Sequence, residues 1–123
     1  MILGIGVDIL HLPRITALIS RRGQDTLARR ILSQKEYVQF RQLQDLDQQK
    51  CDSYLSARWC IKEAAYKALY PHHRLEWKQV TVVKKAGKPE LEFLNSKLYG
   101  IQRAHVSLSH DGEYAIAQVL LEG

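Results

Sequence analysis

The chain has 123 residues, 46% apolar and 25% charged, the ordinary balance of a soluble globular protein and a length that suits one compact domain spanning 1–123. Eighteen Lys+Arg against thirteen Asp+Glu leave a net charge of +5, which favours an acidic partner without choosing among nucleic acid, an anionic membrane, a phosphorylated cofactor or an acidic protein. Cys51 and Cys60, the only cysteines, have the spacing of neither a zinc site nor a disulfide framework, and no apolar run approaches the ~20 residues of a membrane span.

Residues Ile2 to Ile9 alternate as a strand, with Ile5, Val7 and Ile9 on one face and Gly4, Gly6 and Asp8 on the other. This apolar opening carries Asp8 and lacks a basic n-region, so it is not read as a signal peptide, and the mature fold is expected to begin at residue 2. Pro13 suits the first turn of a helix with Ile15, Leu18 and Ile19 inward and Arg14, Arg21 and Arg22 grouped outside. A second helical segment covers Thr26 to Leu32. Ser33 and Glu36 form a capping-box pattern ahead of Tyr37, Phe40 and Leu43.

The polar stretch Leu43 to Asp52 reads as a mobile connection. Asp52 or Ser53 can cap the longest helix, Tyr54 to Tyr70, which Pro71 ends. Strands are expected at Lys78 to Lys84 and Glu90 to Leu94, around a Gly87-Lys88-Pro89 turn. A short helix from Ser96 to Gln102 precedes a hairpin whose arms, His105 to Ser109 and Glu113 to Leu121, are joined through His110-Asp111-Gly112. One strand, then helices, then strands argues for an α+β fold with an antiparallel sheet, one long helix and several short ones.

Asp8 shares its strand face with glycines, which leave bare backbone that a bulky ligand can approach; an Asp at a strand end can equally cap the next helix. Glu63 and Lys67 lie four apart on the long helix, as do Arg58 and Lys62. A solvated salt-bridge face accounts for many such pairs, but Trp59, Ile61, Ala64 and Ala65 crowd the same turns. Two carboxylates among several cations suit Mg²⁺ and a diphosphate, because Mg²⁺ keeps waters and takes one or two protein carboxylates plus phosphate oxygens. No Walker A, GxGxxG, HExxH or GxSxG motif is present. His105, Ser107, Ser109, His110 and Asp111 allow a hydrolase triad to be imagined, and the arginine-rich helices allow a nucleic-acid module, though no recognition motif or aromatic platform accompanies them.

The run Ile5-Gly6-Val7-Asp8-Ile9 with Arg14-Ile15, and the helix Arg58-Trp59-Cys60-Ile61-Lys62-Glu63-Ala64-Ala65-Tyr66-Lys67-Ala68, resemble the two signatures of the small holo-acyl-carrier-protein synthases, a type of 4′-phosphopantetheinyl transferase. Gly87-Lys88-Pro89 and Val106 to Asp111 also look like the family, so the resemblance spans nearly the whole chain. It implies transfer of phosphopantetheine from coenzyme A to a serine of an acyl carrier protein, in fatty acid biosynthesis and with Mg²⁺. Asp8 and Glu63 match the metal carboxylates, and Lys67 a stabiliser of leaving-group charge. Glu63 or a metal-bound water stands ahead of any histidine as general base. Arg58, Lys62, Lys67, Gly87, Lys88, Pro89, Ser109, His110 and Asp111 match coenzyme A contacts, some from a neighbouring subunit of a homotrimer. Arg14, Arg21 and Arg22 match the surface for the acidic carrier. Neither nucleic acid nor membrane is an implied partner, and a cytoplasmic or mitochondrial-matrix home fits. One departure stands out: Tyr70-Pro71-His72-His73-Arg74 replaces the glycine-rich stretch that commonly follows this helix.

Overall fold

A computed structural model describes all residues, Met1–Gly123. The order is β1 (Ile2–His11), α1 (Leu12–Arg22), α2 (Gln24–Ile31), α3 (Gln34–Gln44), α4 (Gln48–Leu69), β2 (Val80–Lys85), β3 (Lys88–Phe93), α5 (Ser96–Tyr99), β4 (Arg103–Asp111) and β5 (Tyr114–Glu122). The architecture is α+β, as the element order implied. It has two antiparallel sheets rather than one: a three-stranded sheet ordered β1-β5-β4 and the hairpin β2-β3.

Helix α4 lies across the three-stranded sheet, and the glycines of β1 are what let it. A Cβ on Gly4 would stand 1.8 Å from the carbonyl oxygen of Ala68, and one on Gly6 1.8 Å from that of Ala64. Two strand residues advance about 6.7 Å and four helix residues about 6 Å, so strand and helix stay in step over this contact. The next pair in the series is Asp8 and Cys60, whose Sγ donates to the Asp8 carbonyl at 3.6 Å. The glycine face was expected to admit a ligand. It admits a helix backbone instead, because two bare surfaces approach more closely than side chains allow.

The apolar face of β1 is therefore the outer one. Ile5, Val7 and Ile9 are 56%, 51% and 65% exposed, and the core side is carried by Gly6 and Leu10 together with Ala115, Ala117, Val119 and Leu121 of β5. On the far side of α4, α1 buries Ile15 and Ile19, α2 buries Leu27, Ala28 and Ile31, and α3 buries Phe40.

Several boundaries differ from the sequence expectation. The stretch from Leu43 to Asp52 is mostly helix: α4 starts at Gln48 and is capped by Asp47, whose Oδ1 accepts from the amides of Gln49 and Lys50. Three polar helix formers, Gln48, Gln49 and Lys50, extend the helix without any apolar stripe to announce it. The β2–β3 turn is Ala86-Gly87, both with positive φ (52° and 79°), as a two-residue hairpin loop needs. Lys88 and Pro89 belong to β3, opposite Lys85 and Lys84. The Ser33 capping box forms in full, with reciprocal bonds between Ser33 and Glu36.

Candidate active site

Asp8 continues the Gly4 and Gly6 face of β1, against Cys60 of α4. Its side chain is only 12% exposed, and Lys67 Nζ donates to its Oδ1 at 3.2 Å and to the Val7 carbonyl at the same distance. The second oxygen, Oδ2, is buried with no hydrogen-bond partner. An orphaned carboxylate oxygen is costly unless something fills its lone pairs. Glu63 is half-buried on the same side of α4 as Lys67. Burial, and then the charge of Asp8, raise its pKa above the ordinary carboxylate value, against an opposing pull from Lys67. The strand acid and the helix acid thus feel one another. Cys60 beneath them is inert, its thiol pushed up to about 12 by burial and the nearby Asp8 charge.

Glu63, Lys67, Tyr66 and Tyr70 line a shallow hollow of about 410 Å³ together with Arg74. A second hollow, of about 630 Å³, opens elsewhere on α4 and is lined in part by Arg58, Lys50, Lys84, His110, Gly87 and Pro89. Arg58 and Glu63 are five positions apart, about 140° around the helix, so the two hollows face different directions. The second hollow collects cations and no acid, which suits an anionic ligand. Its Arg58 guanidinium lies 3.5 Å from the centroid of the Tyr54 ring and 3.7 Å from Glu36, with Nε buried and lacking a hydrogen-bond partner. Lys50, Tyr54 and Lys84 are not among the site residues expected from the sequence. Tyr54 could have been found, since it precedes Arg58 by four on a helix; the two lysines carry no local signal.

Lys62 is a correction. Expected among the phosphate-binding cations, it is fully buried, and its ammonium donates to Glu36 Oε1, the Ile31 carbonyl (2.7 Å) and the Trp77 carbonyl (2.9 Å). All three hydrogens are spent, and burial lowers its pKa against the pull of Glu36. It ties α4 to α2 and α3. The carboxylate of Glu36 also accepts from the Val82 amide at 2.9 Å, so a capping residue doubles as the hub of a buried ion pair. Ser109, His110 and Asp111 separate by strand alternation: His110 faces the cation-lined hollow, while Ser109 and Asp111 lie on the other face of the sheet. His105 is taken up by Glu122 at 3.0 Å, so no Ser–His–Asp triad assembles.

The profile of the 4′-phosphopantetheinyl transferase superfamily matches residues 4–119. The chain belongs to that family. Among its relatives, a holo-[acyl-carrier-protein] synthase of Erwinia tasmaniensis is 39% identical, with 98% of each chain covered. The crystal structure of the holo-[acyl-carrier-protein] synthase from Neisseria meningitidis superposes with a TM-score of 0.84 at 33% identity, covering 100% of both chains. The synthase from Bacillus anthracis, solved in complex with CoA (3′,5′-ADP), superposes at a TM-score of 0.76 and 30% identity over 98% of this chain and 96% of that one. The transferase fold places the two signature segments, β1 and α4, in direct backbone contact. No helix of this transferase is long and apolar enough to cross a membrane.

Proposed function

We propose that this transferase moves the phosphopantetheine arm of coenzyme A onto a serine of an apo-acyl carrier protein, with Mg²⁺ held by Asp8 and Glu63. The observation that carries it is the buried, unpartnered Asp8 Oδ2 beside a second acid of raised pKa, a pair of hard oxygen donors of the kind Mg²⁺ takes alongside phosphate oxygens. When bound, the ion neutralises charge on the diphosphate. The serine Oγ forms a bond to the β-phosphorus as the bond from that phosphorus to the bridging oxygen breaks, releasing 3′,5′-ADP. Glu63 is suited to receive the serine proton, its pKa being raised, and Lys67 is placed to meet the charge that grows on the leaving phosphate. The test weighs an apo-carrier after incubation with the enzyme, coenzyme A and Mg²⁺. A phosphopantetheine-sized gain that disappears with chelator is expected; no gain would sink the proposal.

The carrier's place follows from charge and shape. Leu18, Leu27, Ile31, Trp59 and Trp77 floor a hollow of about 370 Å³ with Arg22 and Arg30 beside it, and Arg14 and Arg21 are exposed on α1. An acidic helix with apolar residues on the same face complements such a surface. Arg14→Glu with Arg21→Glu is expected to raise KM for the carrier at least tenfold and leave KM for coenzyme A nearly unchanged. Equal effects on both substrates would remove the docking role.

Self-association would unite the two hollows. The outer face of the three-stranded sheet exposes Ile5, Val7, Ile9, Tyr114 and Ile116, and Ile9 and Ile116 are direct cross-strand partners. A second copy covering this face also lies beside Ser109 and Asp111. A homotrimer is the expected state, with the carboxylates of one copy completed by the cation-lined hollow of the next. Mixed Asp8→Ala and Arg58→Ala subunits should then recover part of the activity that each lacks alone. Sedimentation of the wild type as a monomer, or no recovery on mixing subunits that exchange, would refute the shared site.

A further inference from the structure

The segment Tyr70 to Arg74 has no part in the reaction described above, yet its last residue lines the same hollow as Glu63. Tyr70 stacks on Tyr66 with centroids 5.8 Å apart. The His73 amide donates to the Leu69 carbonyl at 3.1 Å, and the His73 ring packs edge-on against Tyr99 at 5.2 Å. Leu75, the next residue but one, is buried at 4% exposure. Arg74 is therefore held between two anchored neighbours while its own side chain stays exposed and in no ion pair. It shares the hollow of Glu63 and Lys67.

A charge account of that hollow shows what is missing. A divalent ion between Asp8 and Glu63 leaves those three groups neutral together, and Lys67 is already engaged with Asp8. A dinucleotide diphosphate brings further negative charge, and of the two cations that line this hollow only Arg74 is in no ion pair. A guanidinium suits that task, because its fork can bond two phosphate oxygens at once.

Building on the transferase reading, we propose that Arg74 is a substrate-binding residue that grips the diphosphate of coenzyme A. The segment that lacks glycine backbone contacts thereby supplies a side-chain cation in their place.

The test compares wild type, Arg74→Ala and Arg74→Lys by calorimetric binding of coenzyme A with Mg²⁺ present, and by carrier-modification kinetics. Arg74→Ala should weaken coenzyme A binding about tenfold to a hundredfold, the range of a charge-assisted contact. Its kcat/KM for coenzyme A should fall by a similar factor while KM for the carrier and the melting temperature hold. Arg74→Lys should recover part of the loss. The same penalty is expected with dephospho-coenzyme A, which keeps the diphosphate and lacks the 3′-phosphate. A penalty confined to full coenzyme A would move Arg74 to the 3′-phosphate and overturn the assignment, as would unchanged binding in Arg74→Ala. If wild type itself leaves the carrier unmodified, the transferase reading falls and this one with it. If wild type and Arg74→Ala modify it equally, only the role of Arg74 falls.

Discussion

Asp8→Ala is expected to lose at least a thousandfold in turnover while remaining folded. The carboxylate contributes little to the fold: its one side-chain bond is to Lys67, itself half-exposed, and pairs near the surface are worth about 0–1 kcal/mol. What the carboxylate does hold is a buried unpartnered oxygen, whose cost is repaid only when a ligand fills it. Glu63→Gln should lose activity as completely and should gain stability. Below the ordinary carboxylate pKa, folded and unfolded chains both carry Glu63 protonated, and the group is neutral to folding. As pH rises past that value, the unfolded chain ionises first, because burial and the Asp8 charge raise the folded pKa. Each further step in pH then costs the folded state, until Glu63 is ionised there too. Glutamine escapes this cost. The melting temperature of Glu63→Gln should therefore exceed that of wild type at neutral pH without Mg²⁺, and the two should converge in acid below pH about 4. A variant active at saturating Mg²⁺ would remove its residue from the metal pair; a Gln variant no more stable than wild type would contradict the electrostatic account.

Gly6→Ala should cost more stability than any exposed substitution. The added Cβ would lie 1.8 Å from the Ala64 carbonyl oxygen and 2.8 Å from the Ala68 amide nitrogen, so no side-chain rotation relieves the clash. Helix α4 or strand β1 must move by more than an ångström, against a buried face that includes Ala64, Ala65 and Ala68. Overpacking costs about 1–3 kcal/mol and occasionally more. A backbone-on-backbone clash belongs at the upper end, a large share of the ~5–15 kcal/mol that holds a domain folded. Any folded remainder should also be a poor enzyme, because the same displacement separates Asp8 from Glu63. Gly112 is the comparison: its φ is 58° but nothing lies within 4 Å of a Cβ there, so Gly112→Ala should cost only about 1–2 kcal/mol, the penalty of a left-handed backbone for a residue with a Cβ. Denaturant unfolding of the two variants measures the difference. A Gly6→Ala protein as stable as wild type would mean that the close approach is not needed.

Much of this was legible in the chain because it rests on local chemistry. The alternation of Ile2 to Ile9 marked β1, the Ser33 and Glu36 spacing marked a helix start, and Gly112 marked the turn into β5. The element order was enough for an α+β fold, and the two signatures were enough for the family, since each is a short run whose spacing survives whatever surrounds it.

Contacts between elements decided the rest. Nothing local distinguishes Lys62 from Lys67, five positions along the same helix, yet one is locked against Glu36 in the core and the other reaches Asp8. The glycines of β1 pointed to close approach but not to what approaches, and the answer was the helix that carries Glu63. Likewise Arg74 reads as a loop cation until the fold sets it in one hollow with Glu63 and Lys67. Spacing reports which residues share a face; only packing determines what that face meets, because burial and charge are properties of neighbours distant in sequence.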